Sequence, residues 1–283
     1  KNSIVILLIG SETLNLNVIK KLVKLPSVRQ IFVQYALIPS FYIVPKMIFS
    51  FIFEFPLSAF HADLYKSIYR GSKRYIKQIA LKRFKRVSYM PLGYTDNFYR
   101  QALDYGLISQ EFVGSLLEID KSELHLEKNY TVSFQGYKSG PIRRLVLDYF
   151  KLKSFRDSII NLTEHWGVSS QRNFSFVELC SDSILVLSPP GHASNLAFRH
   201  MESAICGSLP IAPVCSPQDW GVQLTVNSLL PNPEKYTYKK AAKFILNLQS
   251  NERDIVLNEL RGKFQKEIKV FKESLDLTMS QDV

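Results

Sequence analysis

The stretch Ser183-Ile-Leu-Val-Leu-Ser-Pro-Pro-Gly-His-Ala-Ser-Asn-Leu-Ala-Phe-Arg-His-Met-Glu-Ser-Ala-Ile-Cys-Gly-Ser-Leu-Pro-Ile-Ala-Pro213 decides how this chain folds. The run at 184–187 is apolar without alternation, as in a parallel strand covered on both faces. Pro189, Pro190 and Gly191 break it. Residues 194–206 then read as a helix, with Ser194 or Asn195 able to accept its first unpaired N–H groups. Gly207 ends it, and 209–213 form a second apolar run. Strand, turn, helix, strand is the repeating unit of an α/β fold with a parallel sheet.

The same logic extends in both directions. Residues 3–9 are a buried strand ending at Gly10, 13–24 a helix and 30–34 a strand, so the chain opens β-α-β. Another strand runs from Val87 into a Pro-Leu-Gly turn, and 109–118 reads as a short helix. The charged stretch 118–128 reads as a linker. Beyond it, 129–134 is a strand, Gln135-Gly136 a turn, and 142–151 and 153–163 are helices. Two helices, 238–249 and 253–273, close the chain. The expected domains are 1–122, 123–260, and a final helix at 261–283 packing back towards the first domain.

With 283 residues, 46% of them apolar, the chain can build two ordinary cores and is not a disordered composition. Because it opens at Lys1, the sequence is read as a piece of a longer one. Its net charge of +11 points to an anionic partner. No acid occurs between Asp63 and Asp96, while nine Lys or Arg do, from Lys66 to Arg86. This helix is either a solvated face or a contact for an anionic membrane surface or phosphorylated acceptor through residues 64–86. No nucleic-acid module accompanies it, so no nucleic acid is expected. The aromatic segment 36–60 is interrupted by Pro39, Pro45 and Lys46 and reads as a buried or interfacial loop rather than a membrane span. Cys180, Cys206 and Cys215 have neither disulfide-framework nor zinc spacing, so buried thiols are expected and no metal site.

Ligands of open parallel sheets bind beyond the carboxyl ends of the strands. Three turns fall there: Gln135-Gly136-Tyr137-Lys138, Ser188 to His192, and Cys215 to Trp220. Arg199 and Glu202 stand three apart on one helix, on a shared face. A guanidinium can take a diphosphate in bidentate fashion, and a carboxylate can accept from two vicinal ribose hydroxyls. The pair outlines a nucleoside-diphosphate site; the bland alternative is an exposed ion pair.

At this point the sequence resembles the exostosin-like glycosyltransferases. Their donor region runs strand, Pro-x-Gly loop, a helix with Arg-x-x-Glu-Ala, Gly, and an Ile-Pro-Val type strand. Here Leu-Val-Leu-Ser-Pro-Pro-Gly, Asn195-Leu-Ala-Phe-Arg-His-Met-Glu-Ser-Ala and Cys-Gly-Ser-Leu-Pro-Ile correspond. Val132-Ser-Phe-Gln-Gly with Arg143 and Arg144, and Met90-Pro-Leu-Gly-Tyr, match two further family segments. Asn195 or Ala197 departs from the Ser that usually precedes the Arg, and His192 replaces a frequent Arg.

The resemblance implies two Rossmann-like domains facing each other across a cleft, the GT-B arrangement. It implies an inverting, metal-independent enzyme that moves a sugar from a nucleotide diphosphate, UDP favoured, to a glycan or glycoconjugate; no cofactor is needed beyond that substrate. Gly136, Lys138, Arg143, Arg144, Pro190, Gly191, His192, Asn195, Arg199 and Glu202 would bind the donor. The general base would come from the first domain, as Glu12, Asp96 or His61. The compartment favoured is the bacterial cytoplasm at the inner membrane face, with the Golgi lumen as the alternative. The alternative function is a catalytically inactive, transferase-like partner subunit of a glycan-assembly complex.

Overall fold

The computed structural model describes residues 5–9, 16–33, 52–54, 69, 80, 83–89, 95–108, 128–137, 141–152, 157–163, 175–189, 199–212 and 238–280. It is a mixed α/β protein with two parallel sheets. The first has the order β1 (Val5–Ile9), β2 (Val28–Val33), β3 (Val87–Tyr89), with α1 (Leu16–Leu22) between β1 and β2. Its core gathers Ile19 of α1 with Val28, Ile31, Val33 and Val87.

The second sheet is built from β4 (Tyr130–Tyr137), β5 (Ser158–Thr163), β6 (Ser183–Leu187) and β7 (Leu209–Ile211). Its order is β5-β4-β6-β7, all parallel. The chain therefore moves from β4 to one side and returns to the other side at β6. That reversal makes the carboxyl ends of β4 and β6 the switch point of the sheet, the place where doubly wound sheets take their ligands. The remaining elements are α2 (Asp96–Asp104), α3 (Pro141–Leu152), α4 (Phe176–Ser181), α5 (Arg199–Ile205), α6 (Tyr238–Asn247) and α7 (Ser250–Ser280).

Two expectations change. Residues 158–163 are a strand, not the end of a helix. Asp157, at φ 62°, breaks the chain direction, and the run Ser158-Ile-Ile-Asn-Leu-Thr163 then pairs with β4 from Val132 to Tyr137. A residue at positive φ cannot continue a right-handed helix, and β-branched side chains suit the pleated surface. Gln135 and Gly136 are not a turn either: β4 runs through them to Tyr137.

The second core is the larger. Val132, Phe134, Leu185, Leu187 and Ile211 from the strands meet Phe150, Val177, Met201, Ala241 and Ile245 from the helices. Phe98, Ala102 and Ile108 belong to it as well, so this core reaches back across the boundary expected at 122. α7 joins it through Leu257, Leu260 and Phe264, and further along Phe271 meets Phe32 of β2 edge-to-face at 5.2 Å. Cys180 and Cys206 are buried thiols; Cys215 lies outside the described residues. Among the described residues, no helix is long and apolar enough to cross a membrane. The basic segment 64–86 and the aromatic segment 36–60 lie mostly outside them.

Candidate functional site

The switch point is held by arginines. Arg143, in the first turn of α3, is buried, and its guanidinium spans the ends of the two strands that meet there. Nη1 donates to the Tyr137 carbonyl at the end of β4 (3.0 Å), and Nη2 to the Pro189 carbonyl just past β6 (3.1 Å). Arg199, the first residue of α5, donates from Nη2 to the Gln135 carbonyl at 2.7 Å. Its guanidinium lies 4.8 Å from the Phe134 ring centroid and 5.8 Å from that of Phe176. Arg143 approaches the same Phe134 ring at 5.9 Å. Two cations thus converge on one buried ring, within cation–π range, at the carboxyl edge of the sheet.

Gly136 makes this approach possible. A Cβ there would stand 2.9 Å from Arg199 Nη2, and its φ of +147° is one that L side chains rarely adopt. Arg199 Nε is enclosed with no hydrogen-bond partner among the described residues. Burial lowers the Arg199 pKa, and the nearby Glu202 opposes that shift. The group stays cationic at neutral pH. A half-buried guanidinium with one N–H unpaired among the described residues attracts an anion.

Glu202 turns elsewhere. It is 6% exposed, and its Oε1 accepts from both the Thr95 hydroxyl (2.8 Å) and the Thr95 N–H (3.1 Å). Burial raises its pKa; the two Thr95 hydrogen bonds and Arg199 counteract this. The exposed ion pair considered from spacing is therefore not what forms: each member of the pair faces a different partner. Between them, His200 is buried, its pKa lowered to about 3 by desolvation and the Arg199 charge. Neither ring nitrogen reaches hydrogen-bonding geometry with a described residue, and the Ser188 backbone offsets the shift only in part.

Of the residues expected to bind the donor, Gly136, Arg143, Arg199 and Glu202 surround the switch point. Arg144 is exposed on α3, one position beyond Arg143. Lys138, Pro190, Gly191, His192 and Asn195 lie outside the described residues, as do the base candidates Glu12 and His61. Asp96 is exposed in the first turn of α2, one residue from the Thr95 that holds Glu202. Among the described residues, no three of His, Cys, Asp or Glu gather as a metal ion would require.

Sequence reasoning passed over Thr95, Gln101, Phe176 and His200. Thr95 is the N-cap of α2, and a Thr followed by Asp-Asn is a legible helix start. Gln101 Oε1 accepts from Phe176 N–H at 2.9 Å and Val177 N–H at 3.4 Å, fixing the start of α4 beneath Arg199. That pairing has no local signal. No protein-family model and no curated protein matches the chain.

Proposed function

We propose that the chain is an inverting glycosyltransferase of the GT-B kind, moving a sugar from a nucleoside-diphosphate donor, UDP favoured, to a glycan or glycoconjugate. One observation carries the reading. Arg143 and Arg199 stand where the second sheet reverses its strand order, and Arg199 keeps a buried N–H without a partner among the described residues. A polyanion fits that place by charge and by fold position.

In this reading Arg199 takes the diphosphate, and the oxygen of Glu202 not held by Thr95 accepts from the ribose. The acceptor oxygen bonds to the anomeric carbon from the side opposite the diphosphate. The diphosphate leaves with the bonding pair, its charge stabilised by arginine rather than by a required metal. A base, Glu12, Asp96 or His61, takes the acceptor proton. The acceptor side belongs to the first sheet and its neighbouring segments. Contact of that side with an anionic membrane surface, at the bacterial inner membrane face or in a Golgi lumen, would run through residues 64–86, where nine Lys or Arg and no acid occur. Flotation with anionic liposomes tests this part; failure to float removes it.

A second reading, an inactive transferase-like partner subunit, is favoured by the commitment of Arg143 and of Glu202 Oε1 to the protein's own groups. Calorimetric titration with UDP, GDP and CMP decides between the two. One nucleotide should bind the wild type and bind Arg199→Ala about tenfold to a hundredfold more weakly, with circular dichroism unchanged. A folded wild type that binds none of the three supports the partner reading and overturns the donor site.

A further inference from the structure

We infer that Thr95 is a positioning residue of the switch-point site, acting on the donor through the carboxylate of Glu202. The inference rests on the donor-site reading above.

Thr95 and Glu202 are separated by 107 positions, and Thr95 precedes the whole second sheet. Both of its donors nevertheless converge on one oxygen, Oε1. Two donors on one oxygen fix the rotamer and the plane of a carboxylate, and no described residue bonds the other oxygen. The direction of the Thr95 hydroxyl is itself fixed, because it accepts from Phe98 N–H at 3.2 Å as the cap of α2. With a lone pair committed to Phe98, its hydrogen points to Glu202. A buried acid left alone tends to hold its proton; donors to the charged form keep it ionised and acceptor-only, as a pair of ribose hydroxyls requires.

The same helix braces the site a second time. Gln101 holds the first N–H groups of α4, whose Phe176 ring lies against the Arg199 guanidinium and meets Phe98 edge-on at 6.4 Å. α2 therefore supports both the acid and the arginine of the site.

The test is calorimetry with whichever of UDP, GDP and CMP binds the wild type. Thr95→Ser keeps the hydroxyl and should bind within about twofold of wild type, whereas Thr95→Val should weaken binding about tenfold. Thr95→Gly leaves an N-cap residue that α2 tolerates but no hydroxyl to donate, so it should stay folded and lose affinity; it carries the test if Thr95→Val does not fold. In a Glu202→Ala background, Thr95→Val should add little, since the two act as one unit. Equal losses from Thr95→Val in both backgrounds would mean that Thr95 serves only as a helix cap, and the inference would be overturned. Wild-type affinity in folded Thr95→Val or Thr95→Gly would overturn it as well, leaving the donor reading intact. A wild type that binds none of the nucleotides removes the donor reading and this inference together.

Discussion

Replacing Gly136 with Ala tests the arginine site by a single methyl group. The new Cβ would lie 2.9 Å from Arg199 Nη2 and 3.4 Å from Phe134 Cζ. Phe134 is fully buried and cannot move away, so the guanidinium must. Moving it sacrifices the 2.7 Å bond to the Gln135 carbonyl, worth about 1.5–3 kcal/mol for a charged donor, and a stacking contact of roughly 1 kcal/mol. Holding Ala at a φ of +147° costs about 1–3 kcal/mol more. These losses relieve one another in part, so the expected destabilisation is about 3 kcal/mol. Urea unfolding of wild type, Gly136→Ala, Arg199→Ala and the double variant separates the two causes. Once Arg199 is gone, Gly136→Ala should cost only that backbone strain, about 1–3 kcal/mol and less than in the wild-type background. The same Gly136→Ala chain should lose nucleotide binding along with Arg199→Ala. If Gly136→Ala cost the same in both backgrounds, the close approach of Arg199 to this backbone would be refuted.

Two further outcomes are expected. His200 has a folded pKa of about 3 against about 6.5 when unfolded, so between these values the unfolded chain binds the extra proton and stability falls as pH drops. At pH 5 the loss is about 2 kcal/mol, and His200→Leu should flatten that part of the urea-midpoint profile between pH 7 and 5; an unchanged slope would show that His200 ionises in the folded state. Glu54 accepts from the Tyr238 and Lys239 N–H groups at the start of α6. Glu54→Ala should cost about 1 kcal/mol and lower hydrogen-exchange protection of those two amides several-fold, and equal protection in the variant would remove Glu54 as the cap.

Continuous apolar runs were legible because they need no partner to declare themselves: those at 3–9 and 184–187 contain β1 and all but the first residue of β6. β5 was not, because Ser158-Ile-Ile-Asn-Leu-Thr163 follows a helical stretch without Gly or Pro, and the break is made by Asp157 at positive φ, which leaves no compositional trace. α4 had a signal that went unused. Ser175 and Glu178 form the Ser-x-x-Glu pattern of a capping box, and Ser175 Oγ does accept from Glu178 N–H at 3.0 Å. Within the site, spacing placed Arg199 and Glu202 near the mouth. It did not show Arg143 bridging Tyr137 and Pro189, because that depends on β4 and β6 lying side by side. Nor did it show Glu202 reaching Thr95, for a turn between the two sheets has no fixed distance from a helix in the second.

α5 explains why the site had to be read from tertiary contacts. It has seven residues, six of them buried, and a helix that short is not stable alone. Its position is imposed from outside, at both ends. At the start, Arg199 is tied to β4 and Glu202 to Thr95. At the finish, Arg261 of α7 donates from Nε to the Ala204 carbonyl (2.8 Å) and from Nη2 to the Ile205 carbonyl (3.2 Å), a cation at a helix C-terminus. α7 in turn carries Phe271 onto Phe32 of the first sheet. The helix bearing the arginine and the acid is therefore held from two sides, by α2 through Thr95 and by α7, which itself reaches the first sheet.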